Sequence, residues 1–147
     1  MTGNAGAGKS TVAARIGAAL DLPVFGLDAI VWQPGWRKTP DPIKHARIRD
    51  LVSDDAWVID GVSSIALDAA DTIIFLDVPR RTCYRRVAQR NVRFLFRSRP
   101  GLPEHCPEIL IMHRLAKIIW QFPRTVRPAI LENALDPGSP QRLIHCH

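Results

Sequence analysis

Residues Gly3-Asn4-Ala5-Gly6-Ala7-Gly8-Lys9-Ser10 fit the spacing G-x-x-x-x-G-K-[ST] at every required position. The chemistry such a stretch can do is to hold polyphosphate. Successive main-chain N–H groups from Gly3, Asn4, Ala5, Gly6, Ala7 and Gly8 can wrap a dense anion, and the glycines permit the positive φ values and close approach that wrapping demands. Lys9 brings a mobile positive charge to the β- and γ-phosphates, and the Ser10 hydroxyl suits Mg²⁺. Thr11 opens a run to Leu20 that reads as a helix, with its N-terminal N–H groups and dipole facing the phosphates. A polyphosphate with Mg²⁺ is the expected ligand.

Two carboxylates and a set of arginines are the next candidates. Trp57-Val58-Ile59-Asp60-Gly61 reads as a buried strand closing on Asp60, placed to hold Mg²⁺ together with Ser10 through coordinated waters. The other reading of Asp60-Gly61 is a plain turn. Asp28 follows the short apolar strand Val24-Phe25-Gly26-Leu27. It reads either as a carboxylate that orients or deprotonates an acceptor hydroxyl, or as the cap of a helical turn beginning Asp28-Ala29-Ile30. Between Arg80 and Arg99 there are eight arginines and no lysine, a bias that favours planar, bidentate phosphate contacts. The segment 97–108 carries Arg97 and Arg99 with Pro100, Gly101, Pro103 and Pro107, which keep it out of regular structure. An arginine-bearing loop facing a phosphate loop makes a lid that excludes water and brings positive charge to a transferring group.

The elements that must position these groups follow from the apolar pattern. Asp71-Thr72-Ile73-Ile74-Phe75-Leu76-Asp77-Val78-Pro79 has the unbroken apolar centre of a strand buried on both faces of a parallel sheet, with the proline opening the next helix. That helix is expected over Arg80 to Arg97, with Cys83, Val87, Val92 and Phe94 on its apolar side. Further helices are expected over 40–53, from Ile109 to Phe122 with Pro123 breaking or kinking the end, and from Pro128 to about Leu135. Asp136-Pro137-Gly138-Ser139-Pro140 reads as a turn and Arg142-Leu143-Ile144-His145-Cys146 as a last strand. Only Met1 and Thr2 precede Gly3, whereas a strand normally needs about five residues. The first strand is therefore expected to be missing or truncated, with the true start upstream.

The 147 residues suit one domain, and a hydrophobic fraction of 46% indicates a globular chain. No apolar run approaches the roughly 18 residues that span a bilayer, and no basic-then-apolar leader is visible. Cys83, Cys106 and Cys146 have no paired spacing and read as reduced thiols of a cytoplasmic protein. His145-Cys146-His147 lacks the second ligand cluster that a zinc site needs. The net charge of +6 fits phosphorylated small molecules or nucleic acid.

Strands and helices alternating after a phosphate loop indicate an α/β sandwich with a parallel sheet. The combination of the phosphate loop with Leu27-Asp28-Ala29-Ile30-Val31-Trp32-Gln33-Pro34-Gly35-Trp36, Trp57-Val58-Ile59-Asp60-Gly61, Phe75-Leu76-Asp77-Val78-Pro79-Arg80-Arg81, Arg99-Pro100 and Cys106-Pro107-Glu108 resembles the nucleoside-monophosphate-kinase-like P-loop proteins. Within them it is most similar to the topology modulation protein, or FlaR-like, branch related to adenylate kinases. The resemblance implies a single three-layer domain over residues 1–147 with strand order 2-3-1-4-5. It implies ATP–Mg²⁺ on the phosphate loop and lid arginines at Arg97 and Arg99, with Arg90 before the lid. Val62-Ser63-Ser64 stands where adenylate kinases have Phe-Pro-Arg, so their acceptor-phosphate arginine has no counterpart.

The expected activity is transfer of the ATP γ-phosphoryl group to a small acceptor. Lys9, Arg90, Arg97 and Arg99 would stabilise charge, Asp28 would face the acceptor, and Ser10 with Asp60 would hold the metal. The alternatives are an ATP-binding regulator that contacts DNA, or an inactive member of the family. No helix-turn-helix, zinc or aromatic-stacking module supports nucleic acid as partner. Arginines converging on the phosphate loop favour transfer; an outward stripe favours DNA.

Overall fold

The computed structural model describes residues 1–135 and 141–147. The turn expected at 136–140 lies outside the described residues. In chain order, β1 (Thr2–Gly3) leads through the glycine loop into α1 (Lys9–Leu20), followed by β2 (Val24–Gly26) and α2 (Asp28–Val31). A small hairpin, β3 (Trp32–Gln33) and β4 (Arg37–Lys38), precedes α3 (Asp41–Val52), β5 (Val58–Asp60), α4 (Ser64–Ala69) and β6 (Thr72–Leu76). Then come α5 (Arg80–Arg93), a long loop, a 3₁₀ turn (Glu108–Ile111), α6 (Met112–Thr125), α7 (Arg127–Leu135) and β7 (Arg142–Cys146). The chain is thus α/β, with short parallel ladders: β1 pairs with β6, β6 with β7, and β2 with β5. No helix among the described residues is long and apolar enough to cross a membrane.

β1 is only two residues long. Met1 stitches it to the neighbouring ladder: its ammonium donates to the Ile59 carbonyl at 2.7 Å, and the Gly61 N–H donates to the Met1 carbonyl at 3.2 Å. These bonds set the end of β5, and with it Asp60, beside the glycine loop.

Period-two alternation explains why β6 is apolar throughout. Leu76, with Ile74 against it, packs into a cluster containing Cys83 and Val87 of α5 and Ile119 of α6. Phe75 points the other way, is 0% exposed, and packs on Phe122 and Ile130. A separate cluster of Leu27, Ile48, Ile59 and Ala66 joins β5 to α3 and α4.

Several element boundaries differ from the sequence expectation. α1 begins at Lys9, two residues early, because Gly8 adopts φ 99° and serves as its N-cap. α5 ends at Arg93 instead of Arg97: the Phe94 N–H donates to the carbonyls of Arg90 at 3.3 Å and Asn91 at 3.2 Å, closing the last turn. Val92, expected on the apolar side, is 78% exposed. The buried stripe runs Cys83, Val87, Asn91 at steps of four, which turns Val92 outward. α6 starts at Met112 and passes through Pro123 to Thr125, where a break or kink was expected.

At the carboxyl ends of β6 and β7, Phe75 pairs in register with His145, so the next positions on that face, Asp77 and the exposed His147, meet. Ligand atoms of Asp77, His145 and His147 lie within 4.8 Å of one another, so folding adds a carboxylate to the His-Cys-His sequence. Arg127 already balances that carboxylate at 2.8 Å, and His145 Nε2 lies 3.0 Å from it. Burial pushes the Asp77 carboxyl up, but the bonds from Arg127 and His145 together outweigh it and hold the group below the usual carboxylate value. A carboxylate depressed on folding contributes stability above its unfolded pKa of 3.8 and loses it as pH falls through the folded value. Asp77→Asn is expected to lower unfolding stability at pH 7 by about 1–3 kcal/mol. The difference from wild type should shrink as pH drops below about 4, read by urea denaturation.

Candidate phosphate-binding site

The glycine loop curls as its composition requires. Gly6 and Gly8 sit at φ 79° and 99°, in left-handed conformations. A Cβ on Gly6 would lie 2.7 Å from the Cys83 carbonyl oxygen and 2.8 Å from a Val87 methyl, so α5 packs directly on the loop and excludes a larger residue. Lys9 folds back over the loop and donates to the carbonyls of Gly3 and Asn4, both at 3.0 Å. Burial lowers its pKa, against the opposing pull of Asp60 and Asp28. Thr11 and Val12 N–H groups close the first turn of α1 on the Gly8 carbonyl, each at 3.1 Å.

Ser10 and Asp60, the residues expected to hold Mg²⁺, touch each other directly. The Ser10 hydroxyl donates to Asp60 Oδ2 at 2.5 Å. Asp60 Oδ1 is buried and has no hydrogen-bond partner. An orphaned carboxylate oxygen beside a serine hydroxyl fits a hydrated Mg²⁺, which would satisfy it through water.

Asn4 does more than offer a backbone amide. Pro123 has no N–H, so the carbonyl of Ile119, one turn back in α6, loses its helical partner. Asn4 Nδ2 donates to that carbonyl at 3.1 Å, and Asn4 Oδ1 accepts the Ala5 N–H at 2.8 Å. The side chain is therefore a pin between the glycine loop and α6, and it explains how a proline sits inside that helix. Removing it leaves a buried carbonyl and a loop N–H unpaired. Asn4→Ala is expected to cost about 1–3 kcal/mol in urea denaturation. Adding Pro123→Ala, which restores an N–H to Ile119, should recover part of that loss, whereas no recovery would contradict the pin.

The cleft beside the loop has a volume of about 800 Å³. Asp28 lies in the first turn of α2, not at the end of a strand, and lines this cleft. Arg99 reaches across to form an ion pair with it. Arg90 also lines the cleft and pairs with Glu108 at 3.2 Å, while Arg99 Nε lies 3.0 Å from the other Glu108 oxygen. Glu108 is fully buried. With its amide oriented so that both neighbours are satisfied, Asn91 donates to Glu108 at 3.0 Å and to the Val87 carbonyl at 3.1 Å. One buried carboxylate thus gathers two arginines from α5 and the loop.

Arg97 is not brought into the site. It is exposed, its Nε donates to the Arg93 carbonyl at 3.4 Å, and its guanidinium lies 5.9 Å from the Phe94 ring. Because α5 ends four residues early, Arg97 falls beside the helix terminus and Arg99 takes the inward position. The loop itself is docked on the hairpin: Trp36 Nε1 donates to the Pro107 carbonyl at 2.9 Å, and its backbone N–H meets the buried Cys106 sulfur at 3.4 Å.

Three cleft residues went unrecognised in the sequence. Arg86 donates to the Ala7 carbonyl at 2.9 Å and so touches the glycine loop. Its spacing of four from Arg90 on one helix was the available signal. Arg114 stacks 4.8 Å from the centre of the Trp32 ring, and nothing local marks it. Glu108 was noticed only within a motif, without its role as the shared counter-ion.

No family model matches this chain, and no curated protein matches it.

Proposed function

We propose that this chain is a cytoplasmic, magnesium-dependent P-loop phosphotransferase that moves the γ-phosphoryl group of ATP to a small acceptor. The observation that carries the reading is convergence: a glycine loop with left-handed turns, its lysine, a Ser–Asp pair with an unpaired buried oxygen, and Arg86, Arg90 and Arg99 all line one cleft. The ladders support the expected sheet. Counting only parallel strands, β2-β5 and β1-β6-β7, joined through Met1, run in the order 2-3-1-4-5.

In this reading the loop amides and Lys9 hold the triphosphate, Lys9 exchanging two carbonyls for phosphate oxygens. Ser10 and Asp60 hold Mg²⁺, which when bound neutralises phosphate charge. Arg90 and Arg99 sit where negative charge spreads over the transferring group. Asp28 faces the acceptor. The loop over 97–108 acts as the lid, held by Trp36 and Glu108. Calorimetry with MgATP on the whole chain tests the binding half, and ADP formation across a panel of nucleotides and alcohols tests transfer. Absence of both would leave the alternative of an inactive relative.

A second set of arginines keeps the DNA reading in play. Arg81, Arg85, Arg93 and Arg97 are exposed on or just after α5. If DNA is the partner, affinity for duplex should fall steeply and linearly with log salt, by about one unit of slope per phosphate contacted. A flat salt response leaves these arginines as a solvated face.

A further inference from the structure

Resting on the phosphotransferase reading, we infer that the acceptor is a neutral, hydroxyl-bearing ring compound and not a phosphate monoester. The argument is one of charge. Among the described residues, the ionisable side chains lining the cleft are the cations Lys9, Arg86, Arg90, Arg99 and Arg114 and the carboxylates Asp28, Asp60 and Glu108. Five cations against three carboxylates leave two positive charges. A magnesium–nucleoside triphosphate carries about two negative charges, so it alone brings the cleft to neutrality.

A monoester dianion would add about two negative charges to that balanced site. The arginines best placed to receive it are committed: Arg90 and Arg99 share the buried Glu108, and Arg99 also holds Asp28. Asp28 itself, on the acceptor side, would repel a second anion. What it offers instead is an acceptor oxygen for a hydroxyl proton. The wall beside it is largely aromatic: Val31, Trp32, Trp36 and Val62 line the same cleft, with the Arg114 guanidinium 4.8 Å from the centre of the Trp32 ring. Trp32 and Trp36 meet edge to face with centroids 5.3 Å apart, a surface suited to a flat ring.

The step balances without further reagents. The acceptor oxygen forms a bond to the γ-phosphorus as the bond from that phosphorus to the β–γ bridging oxygen breaks. The electron pair stays on the bridging oxygen of ADP, and the hydroxyl proton passes to the Asp28 carboxylate.

The test uses the whole chain with a non-hydrolysable magnesium–ATP analogue present. Four nucleosides (adenosine, guanosine, cytidine and uridine) and their 5′-monophosphates are titrated, with tryptophan fluorescence and equilibrium dialysis as readouts. Nucleosides are expected to bind at least tenfold tighter than their monophosphates. Asp28→Asn is expected to narrow that ratio at least threefold, by removing the charge that rejects phosphate. Monophosphates binding as tightly as nucleosides, or neither class binding, would overturn the inference while leaving the nucleotide-binding reading intact. Failure of the ATP analogue itself to bind removes both.

Discussion

Lys9→Ala is expected to weaken MgATP binding by about a hundredfold while moving the melting temperature by no more than about 4 °C. The two effects separate because the ammonium plays different parts with and without ligand. In the structure it donates to the Gly3 and Asn4 carbonyls, each at 3.0 Å, and it is desolvated enough that its pKa falls below the usual lysine value. Alanine forfeits those bonds but also relieves the cost of burying the charge, so the terms oppose each other. With a triphosphate present the same charge meets phosphate oxygens, and hydrogen bonds to a charged partner are worth about 1.5–3 kcal/mol. The pH dependence gives an independent check. The folded state binds fewer protons at Lys9 than the unfolded state between the lowered value and 10.5. Stability of the wild type should therefore rise across that window relative to Lys9→Ala. Equal MgATP affinity in the two proteins would remove Lys9 from the assigned role.

Glu108→Ala is expected to be the most destabilising single change in the cleft, at about 3–5 kcal/mol in urea denaturation. Glu108 is fully buried and its two oxygens face Arg90, Arg99 and the Asn91 amide. Truncation leaves two guanidinium groups close together without their shared counter-charge. A loss of that size is a large part of the roughly 5–15 kcal/mol available to a domain. The backbone is also involved: the Glu108 N–H donates to the Phe94 carbonyl at 3.2 Å and that of Ile109 to Leu95 at 3.3 Å, so the turn anchors both ends of the arginine loop. Trypsin should then cut within 97–107 faster in Glu108→Ala than in wild type. Glu108→Gln, which keeps volume and one acceptor oxygen, should lie between the two. Wild-type stability in Glu108→Ala would show that the arginines do not depend on this carboxylate.

The same contacts show which expectations held. The glycine loop's shape was readable because it is local: backbone N–H direction, glycine φ values and the helix that follows are set within ten residues of chain. β6 and β7 were readable for a similar reason, since an unbroken apolar run has few alternatives to a buried strand. Helix ends were less legible. α5 was drawn four residues too long because Arg93, Phe94 and Arg97 are compatible with helix. The stop depends on carbonyls at Arg90 and Asn91 and on the turn at Glu108 taking Phe94. Pro123 was read as a breaker because a proline removes a donor. That the orphaned carbonyl would find another donor 115 residues away, in Asn4, is a fact of three dimensions.

By itself, then, the sequence determined a glycine loop opening a helix, a parallel-strand pattern and, from strand-end logic, Asp60 at the end of its strand. Only the tertiary structure decided that Arg86 and Arg114 enter the cleft while Arg97 does not, that Glu108 is the buried counter-ion of Arg90 and Arg99, and that Asp28 answers to Arg99. The physical reason is range. Dihedral preference and apolar period act between neighbours along the chain, whereas charge pairing and polar satisfaction in a buried cleft depend on which distant groups the packing of β6, α5 and α6 brings within about 3 Å.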